Sequence, residues 1–384
     1  MKKVLFLMAF PIDYTINLKN KFIGQMEAVE NLGYEVWVTA TKKDKIFLCS
    51  KNERIMVGKI PLVKQNIVRC YYIFKIIPKI LSIIKFDFCY IRTVPPIFSY
   101  IKALKNIKQT NAKVIVEIPT FPKECEQKNS EKKIFNKGIS FFEKINGKKE
   151  SLYVDLYTII GEQTKTYKNK PSINIENCVS LKNMPARKYK GRSNEVCILA
   201  LANMAYWHGY DRIIESMHQY LLKYGSFPIS VILYMIGTDG DGSLKKWKEL
   251  VKKYHLEKHI KFEGMKSGEE LNKYFEICDI GLASIGGFRK KSTVTSELKI
   301  REYMARGLPF IYATNDRAIN EGKKYCMKVD DDNSMISFDC VLRFALNCKK
   351  NAIQYTRQMR EEAENNMLWE AQFEKVFENL DYRK

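Results

Sequence analysis

Short β-branched apolar runs alternate along the chain with longer stretches of helical periodicity. The first run covers residues 4–10, a helical pattern follows over 22–32, and a second run covers 34–39. Runs over 86–92, 113–118 and 153–160 continue the rhythm. Each is nearly all apolar, as expected of parallel strands covered on both faces by helices. Over 177–194 the pattern lapses into NCVSLKNMPARKYKGRSN, polar and turn-prone, which predicts an interdomain linker. The rhythm then resumes, with strands predicted over 195–202, 229–236, 260–262 and 279–284 and helices over 210–224, 243–254 and 268–278. The expected fold class is α/β, two tandem Rossmann-like doubly wound domains over 1–180 and 181–365. A last amphipathic tract over 352–380 lies beyond the second sheet, and its end, 366–384, is expected to pack back towards the N-terminal domain.

Composition narrows the function classes. With 384 residues and 46% hydrophobic content the chain can bury a large core and is not a disordered tail. Its formal charge of +22 points to an anionic partner: nucleic acid, an acidic membrane surface or a phosphorylated ligand. Residues 1–180 hold 31 Lys+Arg against 16 Asp+Glu, so the N-terminal half carries most of the excess. The ten cysteines are scattered, with no C-x-x-C pair and no zinc-finger spacing, which fits a reduced cytosolic compartment. MKKVLFLMAF imitates the basic start of a signal peptide, but its apolar run stops at Pro11 and Asp13 and reads as a first strand. The most lipid-like stretch, 71–84, is broken by Lys75, Pro78 and Lys79 and is too short to span a bilayer.

A glycine-rich turn directly after the first strand would mark a nicotinamide or flavin site, but AFPIDY stands there. Glycine-rich turns follow strands only in the second half, as IGTDGDG (236–242) and SIGG (284–287), which places the expected ligand pocket there. Asp239 and Asp241 read as a turn rather than a metal site, and Leu244 stands where an EF-hand needs glycine. His255 and His259 share helical i,i+4 spacing without a metalloprotease glutamate and read as a solvated helix face. No metal is expected.

Two tracts are more informative, ANMAYWHGYDRIIESM (202–217) and SELKIREYMARGLPFIYA (296–313). The first carries Trp207-His208-Gly209-Tyr210 from a strand end to a helix N-terminus, where free N–H groups and the helix dipole favour an anion. The second opens a helix with Lys299, Arg301 and Glu302 and ends it at Gly307. Lys299 and Glu302, three apart, share a face. That pair suits a nucleoside diphosphate, the cation for phosphate and the carboxylate for ribose hydroxyls; a solvated surface ion pair accounts for it equally well.

These tracts resemble retaining glycosyltransferases of the GT-B fold, close to family four, of the bacterial capsule and exopolysaccharide type. YMIGTDGD, GMKSGEELNKYFEICDIGLASI and LKIREYMARGLPFI align in order with the family's second domain, and WHGYDR stands at its Lys-Gly tract. VEIPTFPKECE and MLWEAQFEKVF are similar to a first-domain tract and the closing helix. The chain departs from the pattern at three places. Val294 stands where the family has the first of two glutamates eight apart, with Glu297 nearby. Ala202 or Asn203, and His208, stand at about the places of the phosphate-binding Arg and Lys, and Pro119 and Thr120 where many relatives have a first-domain His.

The resemblance implies a hexosyltransferase-type enzyme, retaining and metal-independent, with no cofactor beyond its nucleotide-sugar substrate. It places donor binding at His208, Gly209, Arg212, Gly237, Gly286, Gly287, Glu297, Leu298, Lys299, Arg301 and Glu302. The acceptor side falls at Glu117, Pro119 and Thr120, and the active site in the cleft between the domains; no residue is identified as catalytic. A nucleotide-sugar epimerase or hydrolase on the same fold is the nearest alternative. A nucleic-acid-binding protein is the other, though no recognition module is present and no nucleic-acid partner is expected.

Residues 71–86 place Lys75, Lys79, Ser82 and Lys85 at helical spacing on an otherwise apolar helix, and 123–149 adds eight lysines among Ile134, Phe135, Ile139, Phe141, Phe142 and Ile145. Such segments suit an anionic bilayer. The first segment reads as a core helix covering the first sheet in preference to direct insertion; peripheral binding to the cytoplasmic face of the membrane, with a lipid-linked saccharide as acceptor, is the expectation for this half of the chain.

Overall fold

A computed structural model describes residues 1–8, 16–62, 66–122, 133–290 and 292–381. The chain divides into two compact units, Met1–Ser180 together with Leu368–Lys384, and Leu181–Met367.

The first unit is built on nine strands: β1 (Lys3–Leu7), β2 (Glu35–Lys42), β3 (Lys45–Cys49), β4 (Arg54–Lys59), β5 (Phe88–Arg92), β6 (Lys113–Phe121), β7 (Leu156–Gly161), β8 (Thr166–Tyr167) and β9 (Lys170–Asn174). Their order is β4-β3-β2-β1-β5-β6-β7-β9-β8. From β2 to β9 the neighbours are parallel, as the apolar rhythm predicts. The edges differ: β3 and β4 pair antiparallel beside β2, and β8 beside β9. The chain turns back at Lys43, whose φ of 54° lies in the left-handed region. In β3 the alternation Ile46 in, Phe47 out, Leu48 in marks a strand with one buried face.

Period-two alternation in β1 feeds two cores. Leu5 and Leu7 face one, packed by helices Asn66–Lys75, Ile77–Ile83 and Phe98–Gln109. Val4 and Phe6 face the other, covered by helices Ile16–Asn31 and Trp369–Asp381. Phe373 of the last helix meets Phe6 and Tyr90 at 6.1 and 5.2 Å between ring centroids. A Cβ on Gly24 would lie 2.9 Å from Trp369 Cδ1, so only glycine lets the two helices come this close. The tract over 352–380 is therefore two helices, Ala352–Asn366 in the second unit and Trp369–Asp381 in the first.

The stretch 71–84 takes the core-helix reading rather than direct insertion. It splits at Ile76, with Pro78 in the first turn of the second helix, and Ile73, Phe74, Ile77 and Ile80 are all buried in the first core. Lys75 and Lys79 point outward, so the basic stripe is the solvated side of a core helix. The first part of the lysine-rich tract, 123–132, lies outside the described residues, as does Cys125.

The second unit has a six-stranded, all-parallel sheet. Its strands are β10 (Glu195–Leu201), β11 (Ser230–Ile236), β12 (Ile260–Gly264), β13 (Ile280–Leu282), β15 (Phe310–Tyr312) and β17 (Cys326–Lys328), in the order β12-β11-β10-β13-β15-β17. β14 (Val294–Thr295) and β16 (Asn315–Asp316) form a separate pair. His255 and His259 do not share a helix face: the helix ends at Lys253, His255 has φ 55°, and the His259 ring lies edge-on to Phe227 at 4.9 Å. Asp239 Oδ1 accepts from the N–H groups of Asp241 at 3.3 Å and Gly242 at 2.7 Å, which is a turn. Among the described residues no three His, Cys, Asp or Glu side chains converge as a metal site, and the nine described cysteines are free.

Candidate functional site

At the carboxyl ends of β10 and β13 two loops meet backbone to backbone. Gly209, with φ 69°, caps helix Tyr210–Tyr224, and a Cβ there would lie 2.6 Å from the Gly286 nitrogen. Ile285 N–H donates to His208 O at 2.9 Å, holding the loops in register. Gly287 is equally confined, since a Cβ would overlap Thr314 Oγ1, and a Cβ on Gly237 would overlap Ala202 O where β11 leaves the sheet. The glycines are therefore packing requirements, and they keep this edge low enough for a ligand to approach backbone.

Lys299 reaches into this edge from the first turn of helix Leu298–Arg306. Its Nζ lies 3.0 Å from His208 Nδ1, 3.2 Å from Tyr210 Oη and 3.6 Å from Glu297 Oε2. Glu297, at the N-cap, does not cap its own helix; Oε2 accepts from Ser284 N–H at 3.1 Å and Ser284 Oγ–H at 2.7 Å. His208 Nε2 lies 3.1 Å from the Asn203 carbonyl, which can only accept, so Nε2 carries the proton and Nδ1 accepts from Lys299. Burial, with Lys299 and Lys290 nearby, holds the imidazole well below the usual histidine range. Burial also pulls Lys299 down to about 8, against the opposing pull of Glu297. The result is a buried cation beside a neutral imidazole at a helix N-terminus, an arrangement that favours an incoming anion.

Other expected donor residues take different places. Glu302 accepts from Arg306 Nε at 2.8 Å, and Arg306 donates on to Asn272 Oδ1 at 2.7 Å. Lys299 and Glu302 thus part company, and neither forms the solvated pair considered from sequence. Leu298 opens the helix. Arg301 is corrected: its side chain is wholly buried, with Nη1 on Asp316 Oδ2 and Nη2 on Ser296 Oγ, so it ties the helix start to β16 and presents nothing to a ligand. Arg212 is corrected likewise. Its Nη1 and Nη2 donate to the carbonyls of Ile285, Asp330 and Ser334, bracing the Gly286 loop, while its buried Nε has no hydrogen-bond partner among the described residues.

Sequence reasoning missed Ser284, whose hydroxyl donates to Glu297 and whose Oγ lies 2.8 Å from His208 Nδ1, and the Arg289–Asp211 fork, bidentate at 2.7 Å, which fastens the two loops. The serine of SIGG, directly after a strand, was a usable signal; the fork, 78 residues apart in sequence, had none.

In the first unit, Glu117 is corrected as an acceptor contact. It is wholly buried in β6, where Oε1 accepts from Lys21 at 2.9 Å and Oε2 from Gln25 and Tyr90 Oη, each at 2.7 Å. Burial alone would raise its carboxyl, but Lys21 and Arg92 outweigh that and hold it down to about 2. Pro119 and Thr120 lie half-buried where the β6–β7 register shifts between Ile118 and Phe121.

Comparison with known proteins follows the same division. Residues 195–341, which contain the Lys299 cluster, match the model of the glycosyl transferases group 1 family. No curated protein matches the chain. Among solved structures, sucrose-phosphate synthase from Thermosynechococcus elongatus superposes with a TM-score of 0.70 at 15% identity, covering 100% of both chains. The catalytic domain of starch synthase IV from Arabidopsis thaliana, bound to ADP and acarbose, gives 0.68 at 11% identity over 99% of both. Anabaena HepE in complex with UDP-glucose gives 0.58 at 11%, again over 100% of both. Residues 195–341 are thus similar to the glycosyl transferases group 1 family, and the chain as a whole has the two-sheet α/β GT-B fold seen in these solved structures.

Proposed function

We propose that this protein transfers a hexose from a nucleotide-sugar donor, held by the second unit, to a saccharide acceptor held by the first. The observation that carries this reading is Lys299, a buried cation facing a neutral His208 where two glycine loops meet at a sheet's carboxyl edge. Lys299 and the N–H groups opening helix Leu298–Arg306 would take the diphosphate, stabilising the leaving group as charge develops on it. Glu302 would accept from ribose hydroxyls. That HepE was solved in complex with UDP-glucose and starch synthase IV bound to ADP supports a nucleotide-containing donor for a chain of the same fold. The retaining course, metal independence and a role in capsule or exopolysaccharide synthesis rest on the sequence resemblance.

A lipid-linked acceptor and peripheral membrane binding belong to the same proposal. Support comes from the exposed Phe98 and Phe141, linked through Phe142 at 6.0 and 5.7 Å between centroids, with Lys144, Lys148 and Lys149 on the same helix as Phe141. Aromatic rings flanked by lysines suit an anionic headgroup layer.

Thermal stabilisation across UDP-, GDP-, ADP- and TDP-sugars tests donor binding, since a native-state ligand raises stability by mass action. One nucleotide class should stand out, and no shift with any would reject the donor reading. A donor-only assay separates transfer from the epimerase or hydrolase alternative, which turns over without a second substrate. Sedimentation with anionic and neutral liposomes at low and high salt tests the membrane; equal binding to both removes that part.

A further inference from the structure

The carboxyl end of β5 holds an arginine whose Nη1 finds no hydrogen-bond partner among the described residues. Arg92, the last residue of β5, approaches Glu117 Oε1 only to 3.6 Å, and both Glu117 oxygens are already taken by Lys21, Gln25 and Tyr90. Its Nη1 is buried without a hydrogen-bond partner, and Gln25 Oε1, against the same carboxylate, is equally unpartnered. Buried donors and acceptors are ordinarily satisfied, so this shell is unfinished. Among the described residues the charges do not close either: Lys21 and Arg92 face the carboxylate of Glu117, leaving one positive charge. The Arg92 side chain is 19% exposed, enough to be reached, while Glu117 behind it is at 0%. A guanidinium fork in this position matches the geometry of a planar or tetrahedral oxyanion. The carboxyl edge of a parallel sheet is also where such folds bind ligands.

We infer that Arg92 is an anion subsite of the first unit, taking a phosphate or carboxylate carried by the acceptor saccharide. The inference rests on the reading that the first unit holds the acceptor. The two sources share one chemistry, and the probes separate them: glucose 1-phosphate for a sugar phosphate, glucuronate for an acidic sugar, and glucose as the neutral control.

Titration calorimetry on the full chain tests it, in a K299M background so that the second unit's cation does not compete for phosphate. At least one anionic probe should bind more tightly than glucose, and Arg92→Gln should lower that affinity by roughly tenfold or more. Arg92→Lys, which keeps the charge but not the fork, should recover only part of it. Anionic probes no better than glucose, or unchanged affinity in Arg92→Gln, would overturn the inference. If Arg92→Gln fails to fold, Arg92→Lys alone decides, with undiminished affinity counting against the fork. UDP-sugar stabilisation of the R92Q single variant is read separately. Its retention alongside lost anion binding isolates Arg92, whereas its absence already in the unmutated protein removes the donor reading and leaves the anion titration standing.

Discussion

Each unit buries a charge cluster at the carboxyl edge of its sheet, and the two are built in opposite senses. Around Glu117 an anion sits at the centre, with the protein's own Lys21, Gln25 and Tyr90 supplying donors to both oxygens. Around Lys299 a cation sits at the centre, facing a neutral imidazole and a tyrosine hydroxyl, with its nearest carboxylate at 3.6 Å and already bonded to Ser284. The first carboxylate is matched from within, and the burial of its charge is offset by its partners. The second cation is under-matched, so folding bears a cost that an external anion can offset. Within such a cluster it is the unsaturated member that can take a ligand: Lys299 at the centre of one, and Arg92 at the rim of the other, where Glu117 itself is saturated.

The largest effect should come from breaking the saturated centre. Glu117→Ala leaves Lys21 buried without its partner and should cost about 3–5 kcal/mol. Urea unfolding should show the loss in the first unit, with nucleotide binding kept. The same carboxyl sets an acid limit. Because it is held near 2 in the fold against an ordinary 4.5, its contribution is full above about 4.5 and is lost as pH falls towards 2. Glu117→Gln should flatten that part of the acid unfolding profile.

Lys299→Met should behave conversely. Nucleoside diphosphate affinity should fall by about 1.5–3 kcal/mol, the range for hydrogen bonds to charged groups. Melting temperature without ligand should hold or rise, because a buried cation has been removed. With Lys299 near 8, binding should weaken as pH climbs through that value and the ammonium loses its proton. Calorimetry between pH 6.5 and 9.5 should show the fall in the parent protein and not in Lys299→Met. A smaller change is expected from Glu302→Ala. Its partner Arg306 keeps Asn272, so stability should shift by less than about 1 kcal/mol, while donor turnover drops if the carboxylate holds ribose. Near-normal turnover would leave Glu302 as a helix-surface pair.

Strand positions in both units were legible because parallel strands buried on two faces leave uninterrupted apolar runs, as in β6 and β10. The hairpin β3–β4 was not, since its one-sided burial gives short alternations broken by lysines. Lys299 and His208, singled out from their places near helix starts after strands, lie side by side, and their part in donor binding belongs to the proposal. Arg301 and Arg212 were misjudged for a physical reason: a charged residue beside a ligand motif looks the same in sequence whether its fork meets solvent or Asp316. Glu117 was misjudged in the same way, because Lys21 and Gln25 lie 96 and 92 positions away.

The division of the last two helices sets an order of assembly. The second unit is one continuous stretch, Leu181–Met367, and has all its residues once that stretch has left the ribosome. The first unit begins at the N-terminus but cannot close its second core until Trp369, Phe373 and Phe377 arrive at the far end of the chain. Domains ordinarily fold N-terminal first during synthesis. Here the core between β1, β5 and helix Ile16–Asn31 stays incomplete until residues 369–380 are made, so the earlier-made unit needs the later-made end of the chain to finish it.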